Sequence, residues 1–172
     1  MGEGAFGKIF KITSKHDANF KVAIKVLDKN ILKSELDMVA EEVSCLQRLD
    51  HPNIVRYHET YNDVKYVYIV MEYVTGIDLY DKITKQPAQK LSEAQAAYYT
   101  KSLCEALNHC HALNIVHRDI KPENIMVNDH DMLRLIDFGL AKSNSTSTGK
   151  YVGVQGTPYY MAPEAVNGII TK

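Results

Sequence analysis

Asp119, Lys121, Asn124 and Asp137 stand in a fixed order within His117-Arg118-Asp119-Ile120-Lys121-Pro122-Glu123-Asn124 and Asp137-Phe138-Gly139. A carboxylate, an ammonium, an amide and a second carboxylate in that order meet the needs of phosphoryl transfer from a metal-bound nucleotide. They offer an acceptor for a hydroxyl proton, a cation for the moving phosphate and oxygen ligands for a divalent ion. Asp-Phe-Gly alone could be a surface turn. Following that segment at this distance, it reads as the second half of one site.

The elements that must position these groups can be read from residue periodicity. Residues 8–13 alternate β-branched or aromatic side chains with polar ones and predict a strand. Residues 20–27, containing Val22-Ala23-Ile24-Lys25, predict a second, in which a lysine is ordinarily a solvated edge residue. Leu36, Val39, Val43 and Leu46 recur at three- and four-residue steps and predict one face of a helix within 31–49. Glu41 and Glu42 lie near that face, and a solvated helix charge is the ordinary reading of each. Residues 67–71 read as a buried strand. Ser92-Glu93-Ala94-Gln95 is a capping box opening a helix to about Leu113, with Ala96, Tyr99, Leu103, Leu107 and Cys110 as its apolar face. His109-Cys110-His111 suggests a metal cluster at first sight. Consecutive helical residues diverge by about 100° per step, so these three are expected to be structural.

A chain of 172 residues with 45% hydrophobic and 24% charged residues has material for one or two small lobes around a real core. The formal net charge of −1 offers no bulk attraction to nucleic acid or to an anionic membrane. No apolar run approaches the length of a membrane span, and no signal-peptide pattern opens the chain. Cys45, Cys104 and Cys110 have no disulfide spacing, which predicts a reduced, cytoplasmic protein.

Gly2-Glu3-Gly4-Ala5-Phe6-Gly7 fits a glycine-rich phosphate loop. A Rossmann dinucleotide loop is the obvious competitor, but such a loop must open a helix. The strand pattern that follows places the glycines in a hairpin, where small residues let backbone N–H groups approach phosphates. A plain N-terminal segment is the bland alternative.

Taken together, these segments resemble eukaryotic protein kinases of the serine/threonine type. The resemblance implies an α+β, two-lobed fold: a small antiparallel β-sheet lobe with one helix over 1–71, a hinge over 72–76, and a mainly helical, incomplete large lobe over 77–172. It implies ATP and Mg²⁺ as cofactors. Gly2, Gly4 and Gly7 would cover the phosphates, and Lys25 would contact the α- and β-phosphates while paired with Glu42. By the same resemblance Glu41 keeps its reading as a solvated charge. Met71 would back the adenine pocket, with hinge groups of Glu72 and Val74 on the adenine edge. Asp78 would contact the ribose and, in basophilic kinases, a substrate arginine; a helix-capping role for Asp78 is equally open. Glu123 is carried with the nucleotide set. Asp119 would be the catalytic base, Lys121 the phosphate-neutralising cation, and Asn124 and Asp137 the metal ligands. Lys121 itself resembles the serine/threonine branch. Leu46, Tyr57, His117 and Phe138 match one apolar column joining the lobes, and Ile9, Ala23 and Met126 match the column that adenine completes.

The activation segment would include the polar run 143–149 and end in Gly156-Thr157-Pro158-Tyr159-Tyr160-Met161-Ala162-Pro163-Glu164. There Thr157 would bond Asp119 and Lys121, and Glu164 would await an arginine farther along the family's domain. Arg118 usually pairs with an activation-loop phosphate. The chain departs from the pattern at the usual acceptor position, which is Gly153. Either Thr148 or Tyr151 serves instead, or no phosphate is needed.

A complete domain of this family has about 250 residues, near the upper end of single-domain size. The resemblance covers essentially the whole chain, and the large lobe's long central helix is expected beyond Lys172. Asp50-His51-Pro52-Asn53-Ile54-Val55 and the hinge look like the calcium/calmodulin-dependent and calcium-dependent group. This implies protein substrates with a Ser or Thr acceptor and basic residues upstream, and calcium-linked regulation through flanking segments. Leu140 after Asp-Phe-Gly resembles serine-preferring kinases. The alternative is a truncated fragment that binds nucleotide or a partner without catalysis. An unrelated nucleotide-binding protein is disfavoured by the strand after the glycines.

Overall fold

The computed structural model describes residues 2–4, 7–15, 17, 20–32, 35–143, 151–152 and 154–170; for 2–4, 151–152 and 169–170 this covers the backbone alone. Five antiparallel strands form the first lobe: β1 (Gly2–Gly4), β2 (Gly7–Thr13), β3 (Lys21–Asp28), β4 (Tyr57–Asn62) and β5 (Tyr66–Glu72), in the order β1-β2-β3-β5-β4. Side chains alternate faces along each strand. The register sets Ile9 opposite Lys25 and Lys25 opposite Ile69, with Ala23 opposite Met71. Ile9, Ala23, Lys25 and Met71 therefore share one face. The other face carries Phe10, Ile12, Val22, Ile24 and Val70.

The single helix expected over 31–49 is two segments, α1 (Lys29–Leu32) and α2 (Leu36–Arg48). Its inward face also differs from the expected stripe. Val39, Glu42, Cys45 and Leu46 are buried, while Leu36 is 42% exposed. The helix is turned so that Glu42 faces inward, because an ion pair as well as apolar packing sets its rotation.

The second lobe starts after Gly76, whose φ is +101° and where a Cβ would lie 2.1 Å from the Val127 carbonyl oxygen, so glycine is required. It continues through β6 (Ile77–Asp78), α3 (Leu79–Thr84) and α4 (Glu93–Ala112). Ser92 accepts from the Gln95 N–H and the Gln95 side chain returns to Ser92, so the expected capping box is formed; such a cap contributes about 1 kcal/mol. Then follow β7 (Ile115–Val116), a 3₁₀ turn (Pro122–Asn124), β8 (Ile125–Val127), β9 (Leu133–Leu135), β10 (Lys142–Ser143), β11 (Tyr151–Val152), a 3₁₀ turn (Pro158–Tyr160), α5 (Pro163–Val166) and β12 (Ile169–Ile170). They pair as β6-β8-β9, β7-β10 and β11-β12. Among the described residues no helix is long and apolar enough to cross a membrane.

One apolar core joins the lobes, running from Leu27, Cys45, Leu46 and Ile69 to Ile115, Leu135 and Phe138. The seam is the His51–Val55 stretch. Leu135 N–H donates to the Asn53 carbonyl at 2.7 Å, Val55 N–H donates to the Leu135 carbonyl at 2.9 Å, and the Asn53 amide donates to the Leu133 carbonyl at 3.0 Å. Arg134 adds bonds to Glu72 and to the Pro52 carbonyl.

Candidate active site

The catalytic segment leaves β7 through a short loop in which Arg118 has φ +68°, and Asp137 has φ +57° after β9. Left-handed backbone at such residues costs on the order of 1–3 kcal/mol. Side-chain and backbone bonds hold both turns. Arg118 Nε donates to the Leu140 carbonyl at 2.7 Å. His117 is 1% exposed; its Nε2 lies 3.1 Å from the Ile136 carbonyl and its Nδ1 accepts the Asp119 N–H at 3.2 Å. These bonds require the neutral Nε2–H tautomer. Burial accordingly holds the His117 pKa below its ordinary 6.5, outweighing the Ile136 carbonyl. The His117 and Phe138 rings meet edge-on at 4.7 Å between centroids, and Leu46 and Tyr57 belong to the same packed core.

Both oxygens of the Asp119 carboxylate are engaged by neighbouring side chains. Oδ1 accepts the Thr157 N–H at 2.9 Å and its hydroxyl at 2.7 Å. Oδ2 accepts the Asn124 amide at 2.9 Å and lies 2.8 Å from Lys121 Nζ. Lys121 Nζ also donates to Thr157 Oγ1 at 2.8 Å. Burial opposes the charge on Asp119, but Lys121, Thr157 and Asn124 outweigh it and hold its pKa below 3.8. So weak a base does not deprotonate a free hydroxyl.

Across the cleft, Lys25 Nζ lies 2.7 Å from Glu42 Oε1 and 3.3 Å from Asp137 Oδ1. Burial works against the Lys25 charge, yet Glu42 and Asp137 raise its pKa above 10.5, so the ammonium is retained. Burial works against charge on Asp137 too, and Lys25 with the Gly139 N–H brings its pKa below 3.8. Gly139 makes room for this cluster: a Cβ there would stand 3.1 Å from Lys25 Nζ and 3.2 Å from Asp137 Oδ1. A cavity of about 310 Å³ opens between the two groups, lined by Gly7, Ile9, Lys25, Glu42, Asp119, Lys121 and Asp137.

Met71, Glu72 and Val74, expected at the adenine edge, are not among the residues lining that cavity. Met71 is buried, and Glu72 donates its N–H to the Arg56 carbonyl at 2.8 Å. The Glu72 carboxylate accepts from Arg56 N–H and from Arg134, fixing the hinge to the seam. Asp78 caps α3, accepting the Asp81 N–H at 2.8 Å, and stands opposite Met126 in the β6–β8 pair. The capping reading of Asp78 is therefore realised. Glu123 and Glu164 are exposed. Gly2 and Gly4 lie in β1, paired with Ile9 and Gly7, which makes the expected hairpin. A Cβ on Gly7 would lie 2.2 Å from the Val26 carbonyl oxygen. Tyr151 lies in β11 opposite Ile170, with its side chain outside the described atoms; Thr148 and Gly153 lie outside the described residues altogether.

Two readings of single residues are refined by the structure. Glu41 is no plain solvated charge, because its Oε1 accepts the Ser143 N–H at 2.6 Å. Sequence periodicity gives no signal for such a bond, whose donor is a distant backbone amide. In the His-Cys-His triplet, Cys110 is buried in the core while His109 lies against His51 at 5.3 Å between centroids. Burial pushes the Cys110 thiol up to about 11 and the Cys45 thiol up to about 12, so both stay protonated packing groups.

The donor set fits a nucleotide with a hard divalent ion. Asn124 spends its amide hydrogens on the Asp119 carbonyl and carboxylate at 2.9 Å each, leaving its side-chain oxygen for a metal. Asp137 uses Oδ1 for Lys25 and Gly139, and its other oxygen accepts no hydrogen bond from the described residues. Oxygen ligands of this kind suit Mg²⁺.

A two-lobed fold with an antiparallel sheet above and this pair of facing charge clusters defines a phosphotransferase-type cleft. The chain belongs to the protein kinase domain family, whose model matches residues 1–171. A relative from Macrobrachium nipponense, calcium/calmodulin-dependent protein kinase type 1, is 38% identical over 169 residues, 96% of this chain and 48% of that protein. Calcium-dependent protein kinase 5 of Plasmodium berghei is 37% identical over 100% of this chain and 30% of its own length. Serine/threonine-protein kinase DCLK3 of Mus musculus is 41% identical over 97% of this chain and 21% of its own. The chain thus spans less than half the length of each of these relatives.

Proposed function

We propose that this chain catalyses transfer of the γ-phosphate of Mg-ATP to a serine or threonine hydroxyl of a protein substrate. The observation that carries the proposal is the Asp119 carboxylate, held by Thr157, Lys121 and Asn124, facing the Lys25–Glu42–Asp137 cluster across one cavity. When bound, the metal ion neutralises phosphate charge as the transferred group moves. Asn124 and Asp137 would hold it, Lys25 would orient the nucleotide phosphates, and the hairpin around Gly7 would close over them. Asp119 aims the acceptor hydroxyl and takes its proton; Lys121 counters charge on the moving group.

The lobe boundaries 1–71, 72–76 and 77–172 belong to the same proposal, as do the roles of Met71, Glu72 and Val74 at the adenine edge. So does a cytoplasmic setting, consistent with the free thiols of Cys45, Cys104 and Cys110. Two relatives are named for calcium or calmodulin dependence; we extend calcium-linked regulation to this protein on that similarity.

The test is to mix the protein with labelled ATP, magnesium and three basic peptides differing only in a Ser, Thr or Tyr acceptor. Label on the Ser or Thr peptide, lost on chelation of the metal, is the expected result. Nucleotide binding with no transfer to any peptide would instead establish a non-catalytic binding protein.

A further inference from the structure

Lys11 in β2 stands opposite Ala23 in β3, and Ala23 stands opposite Met71 in β5, so the three form one row across the sheet. Residues directly opposite one another project to the same face, which places Lys11 on the face of Ile9, Ala23, Lys25 and Met71. Lys11 is not among the residues lining the cavity around Lys25. Its Nζ lies instead over the Tyr73 ring, 4.5 Å from the centroid. Tyr73 directly follows Glu72, the last residue of β5. The two neighbours are tied in different directions: the Glu72 carboxylate to Arg56 N–H and Arg134, the Tyr73 ring to a side chain of β2. Lys11 is exposed and Tyr73 half-buried.

We propose that Lys11 walls the open side of the nucleotide-base slot with its methylene stem, and that Tyr73 is the positioning residue that holds the stem there. The proposal rests on the kinase reading above, in which the base lies against Ile9, Ala23 and Met71. A lysine stem is apolar while its ammonium remains in water. Left unheld, it samples many rotamers and covers nothing steadily. β2 and β5 are two strand spacings apart, about 10 Å, with β3 between them. With the ammonium over Tyr73, the stem must run from β2 toward the end of β5, along the row that holds Ala23 and Met71. There it keeps water from one edge of a bound base. The contact touches neither the phosphates nor the acceptor hydroxyl, so it stabilises bound nucleotide and transition state alike and acts on KM rather than on kcat.

The test is calorimetric titration of the 172-residue protein with ADP and magnesium, and separately with inorganic triphosphate, which carries no base. Wild type is compared with Lys11→Ala, Lys11→Met, Tyr73→Leu, Tyr73→Phe and the double variant Lys11→Met/Tyr73→Leu. Lys11 is exposed, so its variants carry little folding cost. Lys11→Met keeps a stem and loses the cation; Tyr73→Leu loses the ring. Each should raise the Kd for ADP about two- to fivefold, the worth of one exposed cation–ring contact. Lys11→Ala, which loses the stem as well, should raise it about fivefold or more. Tyr73→Phe keeps the ring and should stay within about twofold of wild type. The double variant should bind within about twofold of Tyr73→Leu, because both changes remove the same contact. Wild-type affinity for ADP in both Lys11→Ala and Tyr73→Leu would overturn the proposal. So would a double variant whose loss is the product of the single losses, or an equal loss of affinity for inorganic triphosphate. No binding of ADP by wild type would overturn the kinase reading and this proposal with it, whereas ADP binding that ignores both residues would overturn this proposal alone.

Discussion

Thr157 donates both its N–H and its hydroxyl to one oxygen of Asp119, at 2.9 and 2.7 Å, and the same hydroxyl accepts from Lys121 at 2.8 Å. Thr157 thereby ties Asp119 and Lys121 into one unit. Thr157→Val removes the hydroxyl and keeps the N–H. We expect kcat/KM to fall by about ten- to a hundredfold, as for loss of a hydrogen bond to a charged group. Thr157→Ser should stay within about threefold of wild type. Steady-state kinetics on a serine peptide checks both; equal activity in the valine variant would show that the clamp is incidental.

Gly139 is the point where the two carboxylates and the ammonium leave no space. A methyl group there would stand 3.1 Å from Lys25 Nζ and press it away from Asp137. Gly139→Ala should lower kcat/KM by about tenfold or more through misplacement of the phosphate-contacting amine, since shifts well below 1 Å are felt in such sites. Thermal denaturation should move little, because Lys25 Nζ is the far end of a flexible side chain. Normal kinetics in this variant would argue against the Lys25–Asp137 contact.

His117 supplies a pH dependence whose sign is fixed by its burial. Its folded pKa lies below 6.5, the value it regains on unfolding. Above 6.5 neither state holds the extra proton. As pH falls through 6.5, the unfolded chain takes up a proton that the folded one refuses, so stability falls until the lowered pKa is reached. Between pH 7.5 and 5.5 this amounts to at most about 1.4 kcal/mol. Urea unfolding of wild type and His117→Gln at both pH values should show a larger acid loss in wild type. Equal losses would mean that the imidazole is not held neutral.

The local features were the most legible in the amino-acid order. The Ser92–Gln95 capping box spans only a few residues, so its bonds follow from spacing. Placing Ile9, Ala23, Lys25 and Met71 on one face took the register between three strands, which no single segment carries. The rotation of α2 was not legible from apolar spacing alone. Leu36 and Val43 continued the stripe, yet the buried set includes Glu42 and Cys45, because pairing with Lys25 on another strand fixes the helix. Glu41 was beyond reach for a related reason: its partner is the N–H of Ser143, and backbone amides leave no trace in composition. Asp78 shows the converse, a residue whose capping role was visible locally while its place beside Met126 needed the fold.

The central claim is that Asp119 aims and accepts the proton of a substrate hydroxyl. The direct measurement is kcat for phosphate transfer by Asp119→Ala and wild type, with nucleotide affinity measured alongside. Turnover is expected to fall on the order of 10²–10⁴-fold, with ATP affinity held within a few fold. Turnover near that of wild type would contradict it.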